Sequence, residues 1–288
     1  MTNNGKIGIF DSGLGGLTVL SSIKKKYPKE KFLYVGDTAY LPYGSKTAET
    51  ILNRTHKIVK FLIRKKVKGI IVACNSASSV ALKSLQAEYD IPIIGVIESS
   101  IKLALKNQSI KSIGLLGTTT TVNSKAYEHV LTTKTKLVTL TAIACPLFVP
   151  LVEEGWINKN TEIISTIAQE YLASLFNNNE KIESIILGCT HYPILLTQIK
   201  KAIEHLGYDA NEISFIDNGT AILEDLNQHI KINDENHHIQ SNSLAILDTE
   251  DEFYVTDSQP NFISLSSNIL NSNSSINNIN TDPQILSL

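Results

Sequence analysis

Short apolar runs rich in β-branched residues alternate along this chain with longer segments of helical periodicity. The apolar runs read KIGIF, KFLYVG, VKGIIVA, IPIIGVI, SIGLLG, KLVTLTAI, ESIILG and EISFID. Runs of this length and composition are typical of buried strands. Because parallel neighbours in a sheet must be joined by a crossover, strands that alternate with helices predict an α/β fold with mainly parallel sheets.

The segment 45–64 is an example of the helical part of this pattern. Its apolar face consists of residues at helical spacing: Ile51, Leu52, Thr55, Ile58, Val59 and Leu62. Ser45 is the expected N-cap, because a serine hydroxyl accepts a hydrogen bond from the first helical turn. We therefore predict an amphipathic helix over this segment.

The charge balance and the hydropathy exclude several classes of protein. Acidic and basic residues number 28 and 26, so no overall field favours nucleic acid or an anionic membrane. No apolar segment approaches the length that spans a bilayer, and MTNNGK does not resemble a signal peptide. We expect a cytoplasmic protein with no nucleic-acid or membrane partner. Its 288 residues suffice for two modest domains or one large one.

The chain also repeats itself. GIIVACNSAS (69–78) and SIILGCTHYP (184–193) both run from an apolar strand through a small residue to a cysteine and then to polar residues. IGIFDSGLGG (7–16) and IGLLGTTTTV (113–122) form a second pair, in which an apolar strand precedes a turn rich in Gly, Ser or Thr. These pairs indicate two similar α/β units, each with a cysteine at the carboxyl end of a strand. Because ligands bind beyond such strand ends, two facing units would bring both thiols to one cleft.

The three cysteines, Cys74, Cys145 and Cys189, lie far apart in the sequence. They form no C-x-x-C pair and no Cys/His cluster with zinc spacing, so we expect free thiols and no metal site. An isolated cysteine is most often a small buried hydrophobe, which is our interpretation of Cys145. Core packing gives no reason for the matching positions of Cys74 and Cys189, and this repetition favours a chemical role for both.

Two separated thiols suit one type of chemistry in particular. Inversion at an acidic C–H needs one group that removes a proton from one face and another that returns a proton to the opposite face. A thiol near a helix N-terminus is favoured as thiolate and can act as acid or base near neutral pH. A dithiol oxidoreductase is an alternative, although exchanging sulfurs normally come from one short motif. His191, close to Cys189, is either a partner of a thiol or substrate, or an ordinary turn histidine.

The glycine-rich stretch FDSGLGG (10–16) does not indicate a dinucleotide cofactor, because its glycines lack the G-x-G-x-x-G spacing. Asp11 and Ser12 stand where backbone N–H groups of the turn would bind a small carboxylate or phosphate. The alternative is that Asp11 only caps the helix that follows.

Several motifs occur together in a fixed order: GIFDSGLGGLTV (8–19), GDTAYLPYG (36–44), VACNSAS (72–78), GTTTTVNS (117–124), CPLFVPLVEEG (145–155), LGCTHYP (187–193) and FIDNGTAI (215–222). This set resembles the glutamate racemases of the aspartate/glutamate racemase superfamily. The likeness extends over about residues 7–255. An ordered set of this kind is far more specific than any one of its motifs.

The resemblance implies racemisation of L- and D-glutamate by proton transfer between two thiols, without a cofactor, which would supply D-glutamate for peptidoglycan. It assigns Cys74 to the D-enantiomer, with help from Asp11, and Cys189 to the L-enantiomer, with help from His191. The residues implied to hold the substrate are Asp11, Ser12, Tyr43, Gly44, Asn75, Ser76, Thr118, Thr121, Thr190 and His191.

Asp37 and Glu153 would line the cleft as supporting acids. Two positions depart from the family pattern. Ser76 stands where threonine is most common, and it keeps the hydroxyl donor. The family's GT-x-A-T stretch appears as GTTTT (117–121), a change that we expect on the scaffold rather than at a matched site residue.

The resemblance also implies two lobes that clamp the substrate, with a chain that returns to the first lobe after completing the second. We place lobe one at 1–97 plus 207–260 and lobe two at 98–206. The Asn- and Ser-rich segment 261–288 is predicted to be a mobile tail, with docking through its isoleucines as the alternative. Because family members are commonly homodimers, we expect a homodimer.

Two other functions stay open. An aspartate-specific racemase of the same superfamily is one, although the PYG and CTHYP stretches favour glutamate by resemblance. The other is a non-catalytic protein that binds glutamate or inhibits DNA gyrase, as some family members are reported to do. The presence of both thiols speaks against a purely non-catalytic role.

Overall fold

The computed structural model describes residues 5–177, 181–232, 250–257, 266, 269 and 284–288. The first sheet contains β1 (Ile7–Asp11), β2 (Phe32–Gly36), β3 (Gly69–Val72), β4 (Ile93–Gly95), β9 (Glu252–Val255) and β10 (Gln284–Ile285). The second contains β5 (Ser112–Gly117), β6 (Thr139–Ala144), β7 (Ser184–Gly188) and β8 (Ser214–Ile216). The helices are α1 (Leu17–Lys26), α2 (Ala48–Arg64), α3 (Asn75–Glu88), α4 (Val96–Ala104), α5 (Thr119–Asn123), α6 (Ala126–Lys134), α7 (Phe148–Glu153), α8 (Thr161–Phe176), α9 (Leu196–His205) and α10 (Asn218–His229).

All strand pairs in the two sheets are parallel. The strand order is β10-β9-β2-β1-β3-β4 in the first sheet and β6-β5-β7-β8 in the second. The order β2-β1-β3-β4 is therefore repeated as β6-β5-β7-β8, as expected for two similar units. The predicted α/β fold is confirmed, and each apolar run named above overlaps a strand.

The inner strands of each sheet are buried on both faces. Ile9 and Phe10 of β1 pack in different hydrophobic clusters, because successive side chains of a strand point to opposite faces. Leu115 and Leu116 of β5 divide between the two clusters of the second sheet in the same way. Strands buried on both faces need apolar residues at every position, which explains the unbroken apolar runs. No helix in the described ranges is long and apolar enough to cross a membrane.

The boundary between the lobes lies later in the chain than the sequence-based division. That division put the whole of 207–260 in the first lobe, but β8 pairs with β7 in the second sheet. The chain returns to the first lobe through α10, which packs on α1 of that lobe with Ile222 and Leu226 and also contacts α4 and the core of the second sheet. The sequence of a short strand at a sheet edge does not indicate which sheet it joins, because this depends on a partner strand that is distant in the sequence, here β7.

Helix α2 begins later than predicted, and its N-cap is Thr47 rather than Ser45. The Thr47 hydroxyl accepts a hydrogen bond from the backbone N–H of Thr50 at 3.2 Å. Ser45 lies instead in a short 3₁₀ helix, Tyr43–Ser45, and its hydroxyl donates to the carbonyl of Pro42 at 3.3 Å.

Part of the C-terminal tail packs on the first lobe, which differs from the prediction of a mobile tail. Strand β10 pairs with β9, Ser266 is buried, and Ile269 packs against a core cluster of the first sheet. The contact of Ile269 agrees with the alternative, a segment docked through its isoleucines. The other residues of 261–283 lie outside the described part of the chain.

A buried ion pair fastens the segment before β9 to the first lobe. Lys24 Nζ lies 2.8 Å from Asp251 Oδ2, and the two side chains are 1% and 0% exposed. Lys24 also donates to the carbonyl of Glu30 at 2.7 Å, and Asp251 Oδ1 accepts from the N–H of Phe32 at 2.8 Å. Charges removed from water are tolerated in this way, because each has a counter-charge and a further hydrogen bond.

Replacing Lys24 by methionine should lower the free energy of unfolding by about 3 kcal/mol, because it removes one partner of a buried ion pair. Lys106→Met breaks the exposed pair with Glu224 and should cost less than about 1 kcal/mol. Urea unfolding followed by circular dichroism measures both values. Equally small losses in the two variants would contradict the role given to the buried pair.

Candidate active site

The carboxyl ends of β1, β3, β5 and β7 face one another across the two sheets, and the residues that follow them are in contact. The hydroxyl of Thr190, after β7, donates to Asp11 Oδ1, at the end of β1, at 3.1 Å. The hydroxyls of Ser76, after β3, and Thr118, after β5, lie 2.9 Å apart. The repeated motifs therefore meet in one cleft, and direct contacts between the lobes close it.

Cys74 is the N-cap residue of α3 and is 5% exposed. Its Sγ donates to Ser12 Oγ at 3.7 Å. Burial raises the pKa of the Cys74 thiol to about 12, and the charge of Asp11 adds to this effect, while the backbone N–H of Ala77 and the Ser12 hydroxyl oppose it. Cys74 therefore holds its proton at neutral pH.

Cys189 has the position after β7 that Cys74 has after β3, and it is 6% exposed. Its Sγ lies 3.8 Å from His191 Nδ1. The charge of Cys189 is one of the causes that raise the pKa of Cys74, so the two thiols are within electrostatic reach of each other. Cys145 is fully buried in a core cluster of the second lobe, and its Sγ donates to the carbonyl of Ile143 at 3.7 Å.

His191 lies between a carboxylate and a thiol. Its Nε2 is 2.5 Å from Glu153 Oε1, and its side chain is almost fully buried. Burial lowers the pKa of His191, but the hydrogen bonds and charges of Cys189 and Glu153 outweigh burial and hold the pKa well above its usual value. The imidazole is therefore a cation that faces the Cys189 sulfur.

Asp11 is fully buried at the end of β1. Burial raises its pKa, against the lowering effects of His191 and of hydrogen bonds from Gly13, Gly16 and Thr190. Its Oδ2 accepts from the N–H of Gly13 at 3.0 Å, while the N-cap position of α1 is Gly16. Asp11 thus holds the glycine-rich turn and also contacts the opposite lobe, which is more than a capping role.

The approach of the two lobes at this point depends on Gly15. A Cβ atom on Gly15 would lie 2.4 Å from Thr190 Oγ1 and 2.5 Å from His191 Nδ1. Since neither atom can move away without breaking the contacts described above, a larger residue would hold the lobes apart.

Amide and hydroxyl groups line the cleft between the thiols. Asn75 Oδ1 accepts from the hydroxyl of Tyr127 at 2.6 Å, and Asn75 Nδ2 is buried with no hydrogen-bond partner in the described part of the chain. Thr118 caps α5 by accepting from the N–H of Thr121 at 3.2 Å, and the hydroxyls of these two threonines lie 3.0 Å apart. These groups can exchange their mutual contacts for bonds to a carboxylate.

Asp37 and Tyr43 are placed differently from their prediction. Asp37 is fully buried and accepts from the Tyr43 hydroxyl at 2.5 Å, from Arg54 Nε and Nη2 at 2.9 and 2.7 Å, and from Thr256 Oγ1 at 2.7 Å. A buried carboxylate needs a counter-charge, and the Arg54 guanidinium supplies one with two hydrogen bonds. Asp37 therefore does not line the cleft as a free acid. The Tyr43 hydroxyl is also occupied, which leaves the backbone of Tyr43 and Gly44 for substrate contacts.

Sequence reasoning missed three residues that shape the site: Arg54, Tyr127 and Thr120. A signal existed for Arg54, because a charged residue between Ile51 and Ile58 on the apolar face of a helix needs a buried partner. Tyr127 has no such signal, because its bond to Asn75 joins the two lobes. Thr120 stands at the alanine position of the family's GT-x-A-T stretch.

The chemistry available at this site is proton transfer. In the described part of the chain, no group of three or more His, Cys, Asp or Glu side chains could hold a metal ion. The cleft offers a protonated thiol, a thiol beside a cationic imidazole, and N–H and O–H donors for an anionic ligand. A carbon atom held between the thiols would face an acid on one side and a base on the other.

Comparisons with known proteins point to one family. The family model for Asp/Glu/hydantoin racemases matches residues 15–226. A glutamate racemase from Hydrogenobaculum sp. is 43% identical over 226 residues, which are 78% of this chain and 83% of that protein. A glutamate racemase isoform from Bacillus anthracis superposes with a TM-score of 0.83 at 30% identity, over 100% of this chain and 99% of the other. A Francisella tularensis glutamate racemase, solved in complex with D-glutamate, superposes with a TM-score of 0.80 at 32% identity, over 99% and 98%.

Asp11→Asn should speed the alkylation of Cys74 by iodoacetamide at pH 8, because it removes a negative charge that raises the pKa of this thiol. The asparagine oxygen can still accept the bond from Thr190 between the lobes, whereas the bond from the Gly13 N–H is lost because the amide NH₂ only donates. Peptide mass spectrometry measures the rate at each cysteine, and Cys145 is the internal control because Asp11 does not affect its pKa. An unchanged rate at Cys74 would contradict the electrostatic coupling.

Proposed function

The chain belongs to the Asp/Glu/hydantoin racemase family, and we propose that it interconverts L- and D-glutamate by moving the α-proton between Cys74 and Cys189. The observation that carries the proposal is the pair of buried thiols at matching strand ends of two facing sheets. The substrate assignment is supported by the glutamate racemases to which the chain is similar along most of its length.

In the direction from L to D, the thiolate of Cys189 removes the α-proton and the thiol of Cys74 donates its proton to the opposite face of the carbanion. Cys189 ends protonated and Cys74 ends as thiolate, so the proton count of the enzyme is unchanged. The reverse reaction begins from this second form. The raised pKa of Cys74 and the cation beside Cys189 favour the protonation state that acts on L-glutamate.

The barrier to this reaction is high because the α-proton of an amino acid is very weakly acidic. Negative charge develops on the α-carboxylate as the proton leaves, and donors already aimed at that carboxylate lower the barrier. Asn75 Nδ2, the hydroxyls of Ser76, Thr118 and Thr121, and backbone N–H groups of the Tyr43–Gly44 loop are the donors that we assign to this task. Closure of the lobes excludes water and strengthens each of these bonds.

The remaining ionisable groups adjust the two thiols. We propose that the His191 cation, held by Glu153, is the positive charge that faces the Cys189 sulfur while this residue takes or gives the α-proton. We propose that the charge of Asp11 favours the proton on Cys74, the form of this thiol that acts on L-glutamate. Glu153 Oε2, which is buried with no hydrogen-bond partner among the described residues, is available to that ammonium.

The wider role rests on the resemblance and remains a set of predictions: a cytoplasmic homodimer that uses no cofactor and supplies D-glutamate for peptidoglycan. An aspartate-specific racemase is the alternative within the family. Racemisation of aspartate under the conditions used for glutamate, at a higher kcat/KM, would favour that alternative.

Circular dichroism of either glutamate enantiomer should decay to zero with the purified protein in EDTA, because enantiomers have equal free energies and the equilibrium constant is one. When the reaction in D₂O starts from L-glutamate, the D-glutamate formed first should carry deuterium at the α-carbon, while the L-glutamate that remains should not. The reason is that the second thiol, which has exchanged its proton for deuterium, supplies the new α-hydrogen of the product. Mass spectrometry of the separated enantiomers distinguishes these pools. A constant signal with both enantiomers would refute the activity, and early deuterium in both pools would refute the two-thiol mechanism.

Cys74→Ala and Cys189→Ala should each lower kcat for both directions by about 10³-fold or more, because each thiol is an acid in one direction and a base in the other. Cys145→Ala is the matched control, since its thiol lies in the core and we assign it no proton. It should change the thermal midpoint but leave kcat within about twofold. Substantial activity in either of the first two variants would overturn the assignment of the thiols.

A further inference from the structure

The hydroxyl of Thr120 reaches from the second lobe to the backbone of the first. Its Oγ1 lies 3.1 Å from the carbonyl oxygen of Gly44, 3.3 Å from that of Lys46 and 3.4 Å from that of Tyr43. Carbonyl oxygens only accept, so the hydroxyl is the donor in each case. A single donor thus faces several acceptors, and Gly44 is the nearest.

This contact is not needed for the structure of helix α5 itself. The N-cap of α5 is Thr118, whose side chain already accepts from the N–H of Thr121. Thr119, the preceding residue, is exposed, whereas Thr120 is half-buried. The Thr120 hydroxyl therefore bonds outside its own helix, to the loop whose backbone we assign to the substrate.

The loop and α5 are already as close as their backbones allow. A Cβ atom on Gly44 would lie 2.5 Å from Cβ of Thr118, so only glycine permits this approach. On its other side, the loop is fastened within the first lobe by the bond from Tyr43 to Asp37. The bond from Thr120 is thus the link that fixes this loop relative to the second lobe.

We propose that Thr120 is a positioning residue that holds the two lobes closed over the Tyr43–Gly44 loop, and that it sets the affinity for glutamate without taking part in proton transfer. This inference rests on the proposed function. It also revises the expectation from sequence, in which the change to GTTTT affected only the scaffold.

The Thr120 bond changes the populations of the open and closed forms of the two lobes. The closed form presents all the donors to the substrate, so the apparent dissociation constant rises as the closed fraction falls. A neutral hydrogen bond lost between the lobes lowers the ratio of closed to open form by a factor of about five, so the closed fraction falls by at most that factor. The thiols and their charged neighbours are untouched, so the chemical step in the closed complex is unchanged.

The test compares four variants with the wild type: Thr120→Val, which keeps the shape and removes the donor, Thr120→Ala, Thr120→Ser, which keeps the donor, and Thr119→Val as the neighbouring control. KM for both enantiomers should rise by up to about fivefold in the valine and alanine variants at position 120, with kcat equal to or above that of the wild type. Thr120→Ser and Thr119→Val should keep the wild-type KM. A wild-type KM in Thr120→Val, or a KM in Thr120→Ser as high as that in Thr120→Val, would overturn the proposal.

Hydrogen exchange in the absence of substrate measures the closure of the lobes independently of the activity. Backbone amides of residues 41–47 should exchange faster in Thr120→Val than in the wild type and in Thr120→Ser, while the core strands stay equally protected. Equal exchange in all proteins would refute the closing role even if glutamate were not the substrate. If the wild type fails to racemise glutamate but exchange differs as expected, the proposed function fails and the role of Thr120 in closure stands.

Discussion

Parallel pairing of strands is the constraint on which this site depends. Because every strand in the two described sheets has the same direction as its neighbours, the carboxyl ends of β1 and β3, and likewise of β5 and β7, emerge at one edge of each sheet. The chain leaves these ends with polar residues and begins a helix or turn, so N–H groups and side-chain donors collect there. With the two edges facing each other, both sets of donors and both thiols surround one small volume.

The fold repeats, but the electrostatic surroundings of the two thiols do not. Cys74 is buried near a carboxylate, Asp11, and keeps its proton. Cys189 has a cationic imidazole beside it, held by Glu153. The two thiols therefore have opposite charges as neighbours, a carboxylate beside Cys74 and a cation beside Cys189. In the proposed mechanism, the two thiols exchange the roles of acid and base when the direction of the reaction is reversed.

Sequence was sufficient for features that are local or repeated. The unbroken apolar runs predict β1 to β8, and the matching positions of Cys74 and Cys189 predict their convergence, because both patterns lie within short stretches. Sequence was insufficient where a residue's partner is distant. The sequence places Asp37 and Tyr43 at the site, but it does not show that Asp37 pairs with Arg54 or that the Tyr43 hydroxyl donates to Asp37. The sequence of β8 does not indicate which of the two sheets it joins. Strand β10 could not be predicted because it is only two residues long and lies in an Asn-rich region.

The late position of β9 in the chain has a consequence for synthesis. The second sheet is built from a continuous stretch that ends with β8, so it can form as soon as that stretch has left the ribosome. The first sheet is completed later. The edge of β2 that pairs with β9 stays open, and Lys24 lacks Asp251 beside it, until more than two hundred further residues have been added. During this interval a nascent chain carries an open β edge and a lysine whose native site lacks its counter-charge, both of which disfavour early closure of the first lobe. Domains generally fold in order from the N-terminus during synthesis, but here the lobe that begins first is completed last.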